Sequence, residues 1–219
     1  MVWDLIVPGV YELKPGARLT DAQIEGRIKL SRLPRTTQKS HRFSSWKNRD
    51  ELTEAWNYCY QFASEISTKP FLTLSGPPGT GKTHLALAIA WTWLEVGKGL
   101  VSYYQVETLL DALRRGYDKE KRKPNEDTDT ILNYISSCSL AVLDDLGAES
   151  TTEWAWKKLD EIVDARYINK LATVITTNGS PGQLSPRIAD RLFEGEIIIL
   201  DSDSYRRRDH SENHNSVQR

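Results

Sequence analysis

The sequence predicts an α/β protein built on a five-stranded, mostly parallel sheet flanked by helices. Three observations point there. From Pro70 onward, short apolar runs alternate with helical patterns, as strand–helix–strand units do. The stretch "FLTLSGPPGTGKTHLALAIA", residues 71–90, passes from an apolar run through a glycine-rich turn into a helix-like repeat. A length of 219 residues suffices for one substantial core with appendages, and not for two full domains of about 150 residues each.

Residues 1–50 are rich in Pro, Gly, Ser, Thr and basic residues. They are expected to form a partly ordered basic arm with one short helix near "DAQIEGRIKL". Between residues 27 and 49 there are eight Lys or Arg and no Asp or Glu, which fits a solvated linker or a polyanion contact. In "RDELTEAWNYCYQFASEI", Leu52, Ala55, Trp56, Cys59, Phe62, Ala63 and Ile66 recur at helical spacing. The first strand, "FLTLS", leads through the glycine turn into a helix over 82–96 that stops near Gly97 and Gly99. "LVSYY" is the second strand, "VETLLDALRRGY" a helix and "DKEKRKPNEDTD" a charged loop. "TILNYISSC" is helical, "LAVLDD" the third strand and "TTEWAWKKLDEIVDARYI" a long amphipathic helix, in which Trp154 and Trp156 cannot share a face. "ATVITTN" is the fourth strand, "LSPRIADRLF" a helix and "EIIIL" the fifth strand. The organisation expected is therefore an arm over 1–50, a core over 51–205 and a basic, polar tail over 206–219.

The near-neutral net charge of -1 hides the local asymmetry of that basic run. Cys59 and Cys138, the two cysteines, match neither a disulfide framework nor a metal cluster. The opening residues lack a signal-peptide pattern, and no apolar run approaches the roughly 20 residues of a membrane span. A cytoplasmic protein with no membrane partner is expected.

"GPPGTGKT", Gly76, Pro77, Pro78, Gly79, Thr80, Gly81, Lys82 and Thr83, satisfies G-x-x-x-x-G-K-[ST] between an expected strand and helix. Glycines permit the tight path on which backbone N–H groups converge on phosphate oxygens, and the helix start adds its dipole. Lys82 would reach the β/γ-phosphates of ATP, and the Thr83 hydroxyl would ligate Mg²⁺. His84 reads as helix surface or phosphate neighbour. At the end of "LAVLDD", Asp144 and Asp145 point to opposite sides, so one would face Mg²⁺, directly or through water, and the other would orient an attacking water, or else the pair closes a turn or caps a helix; Glu149 is a further carboxylate four residues on. Asn178 would bond the γ-phosphate or the water, or else close a plain Asn-Gly turn. Arg187 and Arg191 share one helix face, as a transition-state arginine from a neighbouring subunit or as ordinary surface charge.

In order, "GPPGTGKTHLALAIA", "LAVLDDLGAESTTEWAWKKLDEIVDARY", "ATVITTN", "RIADRL" and "SYRRR" resemble the AAA+ ATPases, specifically the DnaC/DnaI-type helicase loaders and the related IstB transposition helpers. The resemblance runs from about Leu33 to Arg208. It implies a P-loop (AAA+) core with Lys82 and Thr83 in Walker A and Asp144 and Asp145 in Walker B. It further implies Asn178 as sensor 1, Arg191 as an arginine finger acting on an adjacent protomer with Arg187 the weaker candidate, and Arg206 as sensor 2. "LPRTTQKSHRFSSW" corresponds to the segment near the adenine, and residues 103–117, with Tyr103, Tyr104, Arg114 and Arg115, to elements touching single-stranded DNA. The sequence departs from the family in carrying Asp145 where a glutamate is usual; its arm over 1–50 has no cysteines, and no full C-terminal lid domain is expected.

The function this implies is an ATP-dependent, slowly hydrolysing loader that self-associates through the arginine finger and delivers a replicative DNA helicase onto single-stranded DNA. A transposition helper acting on duplex DNA and a nucleotide-gated single-strand binding module are the alternatives. A small-molecule kinase fits poorly, since "TTN" and "RIADRL" have no role in one.

Overall fold

The computed structural model describes residues 19–47, 50–64, 69–117, 127–147 and 152–205, with the backbone of 3–7 and 10–13. Strands β1 (Trp3–Val7) and β2 (Val10–Leu13) pair antiparallel ahead of the core. The main sheet contains β3 (Phe71–Ser75), β4 (Val101–Gln105), β5 (Leu140–Asp144), β6 (Ala172–Thr177) and β7 (Glu196–Ile199). Its order is β4-β5-β6-β3-β7, and every neighbouring pair is parallel.

Strand side chains alternate between the two faces with period two. Leu72, Leu74, Val101, Tyr103, Leu140, Val142 and Val174 pack under α1 (Asp21–Ser31), α3 (Thr53–Ser64) and α4 (Lys82–Glu95). The short helix α2 (Thr37–Ser40) follows α1. On the opposite face, Phe71, Tyr104, Ala141, Leu143 and Ile175 pack under α5 (Val106–Gly116), α6 (Thr128–Ser137), α7 (Glu153–Ile168) and α8 (Pro186–Phe193). Trp154 and Trp156 are both partly buried against this second layer. Helix α4 is buried nearly all round, from Leu85 through Leu94, because α1 and α3 cover it from outside. That explains its apolar sequence on every side; each fully buried Leu or Ile there contributes roughly 1.5–3 kcal/mol.

The core begins earlier than expected. Ile28, Leu33 and Phe43, placed by sequence in a partly ordered arm, are buried in the layer around α4. Helix α1 starts at a capping box in which the Thr20 hydroxyl accepts from the Gln23 N–H and the Gln23 side chain accepts from the Thr20 N–H. Arg42 is tied to Glu95 at the end of α4 at 2.6 Å. The basic run is therefore partly a structural strap. The β1–β2 pair was not expected from its weak periodicity. Helix α6 starts two residues before its apolar pattern because Asp127 accepts from the Thr130 N–H at 2.9 Å. The tail over 206–219 lies outside the described residues, as does Glu149.

At the N-terminal edge of the sheet, Arg166 of α7 is fully buried. It donates to the carbonyls of Ile135 (2.6 Å), Cys138 (2.9 Å) and Ala172 (2.6 Å) and to the Thr173 hydroxyl (2.9 Å). One guanidinium thus joins the end of α6, the approach to β5 and the start of β6. Arg166→Met removes the guanidinium from all four acceptors at this buried edge, and is expected to lower the unfolding free energy by about 2–4 kcal/mol. Urea denaturation checks this.

Candidate functional site

The C-terminal ends of the strands carry a cavity of about 580 Å³, within the size range of small-ligand sites. It opens where the chain leaves β3 toward one face through α4 and leaves β6 toward the other through α8, which is where open α/β sheets bind ligands. The phosphate-loop residues Pro78, Gly79, Gly81, Lys82, Thr83 and His84 line it, facing Gln105, Asp144, Asp145, Thr176 and Asn178. Gly76, Pro77 and Thr80 build the underside of the same loop, where the Thr80 hydroxyl donates to the Pro77 carbonyl at 3.0 Å.

Two glycines are required by geometry. Gly79 has φ of +85°, and a side chain there would run into the Ser204 hydroxyl. Gly81, the N-cap of α4, has φ of +102°, and a Cβ would lie 2.6 Å from the Trp46 ring. The loop is thus overlaid from both ends of the core. Trp46 and Tyr205 meet edge to face at 5.6 Å, the Tyr205 N–H donates to the Gly79 carbonyl at 2.9 Å, and its hydroxyl donates to the Lys47 carbonyl at 2.6 Å.

Lys82 is buried, and its ammonium donates back to the carbonyls of Gly76 (2.7 Å) and Pro77 (2.8 Å). Asp144 is 1% exposed. Its Oδ1 accepts from the Thr83 hydroxyl (3.0 Å) and the Thr176 hydroxyl (2.7 Å), and its Oδ2 accepts from the Tyr103 hydroxyl (2.8 Å). Burial and the adjacent Asp144 charge push the Tyr103 phenol well above its ordinary pKa, so it remains a donor. Asp145 takes a left-handed backbone, φ +62°, which turns its side chain away from the strand. Its N–H donates to the Thr176 hydroxyl at 2.8 Å, and its Oδ1 accepts from the Asn178 amide at 2.6 Å.

The donor set suits a nucleotide with a hard divalent cation. An ammonium and loop N–H groups stand beside a hydroxyl and a carboxylate, the oxygen ligands Mg²⁺ favours.

The model of the IstB-like ATP binding protein family matches residues 23–213. The chain belongs to the IstB-like ATP-binding family. The replicative helicase loader DnaC of Escherichia coli (strain K12) is 31% identical over 163 residues, 72% of this chain and 63% of that protein. The chain therefore spans less than two thirds of that relative's length. Among solved structures, AMPPCP-bound DnaA from Aquifex aeolicus superposes with a TM-score of 0.67 at 19% identity, over 75% of this chain and 51% of the other. The DnaC helicase loader superposes at 0.64 and 23% identity, over 74% and 97%. Both share the P-loop AAA+ fold of this IstB-like protein.

Other expected residues lie apart from the cavity. In this IstB-like chain Arg191 sits on α8, with its Nε 3.3 Å from Asp164 and its guanidinium over the Tyr167 ring at 4.2 Å. Arg187 shares the same carboxylate at 3.3 Å and is more exposed. Arg206 lies outside the described residues. Tyr103 and Tyr104, expected as stacking faces for single-stranded DNA, are instead 6% and 4% exposed. They belong to β4, whose alternation sends one ring under the α4 layer and the other under the α5–α8 layer, so neither offers a face to a base. Arg114 and Arg115 remain exposed on the last turn of α5, Arg114 over the Trp154 ring at 4.9 Å. Among the described residues no helix is long and apolar enough to cross a membrane.

Sequence reasoning on the chemistry missed Tyr103 as a partner of Asp144, Thr176 as the bridge between the two aspartates, and the overlay by Trp46 and Tyr205. Tyr205 did fall inside a segment that carried the family resemblance, and Trp46 inside the one the resemblance placed near the adenine.

His84 and His41 stand at the cavity mouth with ring centroids 5.0 Å apart. The His84 Nε2–H donates to the Arg42 carbonyl at 3.0 Å. Burial pulls the His84 pKa down, partly opposed by that hydrogen bond, and burial together with the His84 charge pulls down His41. Both imidazoles are more basic unfolded than folded, so their contribution is present above about pH 6.5 and is lost as pH falls through the folded values. The unfolding free energy is expected to decline below that pH, and to decline less steeply in His84→Gln. Denaturant titrations across the pH series test the difference in slope.

Proposed function

We propose that this chain is an ATP-dependent loader that delivers a replicative DNA helicase onto single-stranded DNA during initiation of replication. The observation that carries it is the convergence of Lys82, Thr83, Asp144, Asp145 and Asn178 on one cavity. The client is taken from curated relatives named replicative helicase loaders.

Lys82 exchanges its two carbonyl partners for the β/γ-phosphates of ATP, and Thr83 and Asp144 hold Mg²⁺. The bound cation supplies charge neutralisation on the phosphates. Asp145, steadied by Asn178, positions the attacking water and takes up its proton. A carboxylate one methylene shorter than glutamate suits slow turnover. Arg191 faces away from its own cavity, as suits a residue that stabilises developing charge in an adjacent protomer. The sensor 2 role is assigned to Arg206 from the family resemblance of "SYRRR" alone. Arg114 and Arg115 supply the charge for the nucleic-acid backbone, without the aromatic stacking first expected beside them.

The test is to mix the chain with a replicative helicase, ATP and single-stranded DNA and to measure the mass of the complex. A complex that needs both ATP and helicase is expected. Capture of a transposase in place of the helicase makes the chain a transposition helper instead. Lys82→Ala is expected to abolish nucleotide binding. Arg191→Ala should bind nucleotide normally and lose assembly-dependent hydrolysis; normal turnover by the assembled variant removes Arg191 from the role.

A further inference from the structure

Asp144 has a constraint that its two threonine partners do not explain. Its Oδ1 already receives two hydroxyls, from Thr83 and Thr176. Among the described residues its Oδ2 receives one, from Tyr103, at 2.8 Å. The Tyr103 ring lies in the core layer around α4, beside Val101 and Val142, and a phenylalanine would fill that space equally well. The hydroxyl adds only the bond to Asp144. Tyr103 stands level with Val142 in the β4–β5 register, while Asp144 stands level with Gln105. The bond is therefore a diagonal cross-strand contact that ends on the carboxylate.

We infer that Tyr103 is a positioning residue for the divalent cation, fixing the plane of the Asp144 carboxylate so that Oδ1 stays aimed at Thr83. The inference rests on the proposed ATP site. Of the three hydroxyls on Asp144, the Thr83 hydroxyl is the one a cation recruits: the ion takes a lone pair of its oxygen while its hydrogen stays on Oδ1, so the arrangement depends on Oδ1 keeping its aim. The Tyr103 and Thr176 bonds come from strands on either side of β5 and act on different oxygens. Together they block rotation of the carboxylate as the ion draws on the Thr83 oxygen. Without Tyr103, Oδ2 is buried and unpaired, and the group is free to turn toward other donors. Outer partners of metal-binding carboxylates have this effect in general, changing affinity for the ion without touching it.

Tyr103→Phe in the full chain keeps the ring and removes the bond. Binding of a fluorescent ATP analogue is measured against Mg²⁺ concentration, and again in EDTA. The Mg²⁺ needed for half-maximal enhancement is expected to rise about tenfold, while affinity in EDTA changes by less than about twofold. Thermal unfolding verifies that the variant is folded, and Asp144→Asn sets the size of full loss. An unchanged Mg²⁺ midpoint overturns the inference. So does an equal loss of affinity in EDTA, which makes Tyr103 merely structural. If the unsubstituted chain shows no Mg²⁺-dependent nucleotide binding, the ATP-site reading fails first and this inference with it.

Discussion

The Asp144 carboxylate, almost fully buried, accepts hydroxyls from α4, β4 and β6 while sitting at the end of β5, so four elements of the core meet on one side chain. A buried carboxylate is costly unless its lone pairs are filled. Here three hydroxyl donors fill them. The opposite edge of the sheet carries the reverse arrangement. Arg166 is a buried cation whose partners are carbonyls, a hydroxyl and a thiol sulfur. The ligand edge of the sheet thus gathers rotatable hydroxyls on a carboxylate, and the opposite edge gathers mainly backbone carbonyls on a guanidinium.

The layer architecture was legible because its physical cause is local. The apolar runs of "LAVLDD" and "ATVITTN", buried on both faces, and the apolar run after the phosphate loop reflect which neighbours each residue meets, and the five strands of the main sheet fall where such runs stand. The β4 segment "LVSYY" was recognised as a strand, yet its tyrosines were read as available to DNA. An aromatic residue with a polar tip suits a stacking platform or a core equally. Only the helices packed above and below β4 decide between them.

The phosphate loop and the two aspartates were legible for a different reason, since phosphate binding demands glycine, lysine and hydroxyl at fixed spacing. What surrounds them obeys no spacing. Tyr103 reaches Asp144 across a register that sequence does not contain, and Trp46 reaches Tyr205 over the loop only once the sheet has closed. The boundary of the core was misplaced likewise. Ile28, Leu33 and Phe43 are sparse apolar positions in a basic stretch, and their burial depends on α4 needing cover on its outer side.

The overlay of the phosphate loop has a topological consequence. Trp46 precedes the central sheet in the chain and Tyr205 follows it, yet they touch each other above Gly81, with Tyr205 anchored to Gly79 and Lys47. The fold is thus buckled directly over its own ligand loop. The chain on either side of the sheet thus meets the loop through two aromatic rings and one backbone hydrogen bond, contacts that do not pass through the sheet.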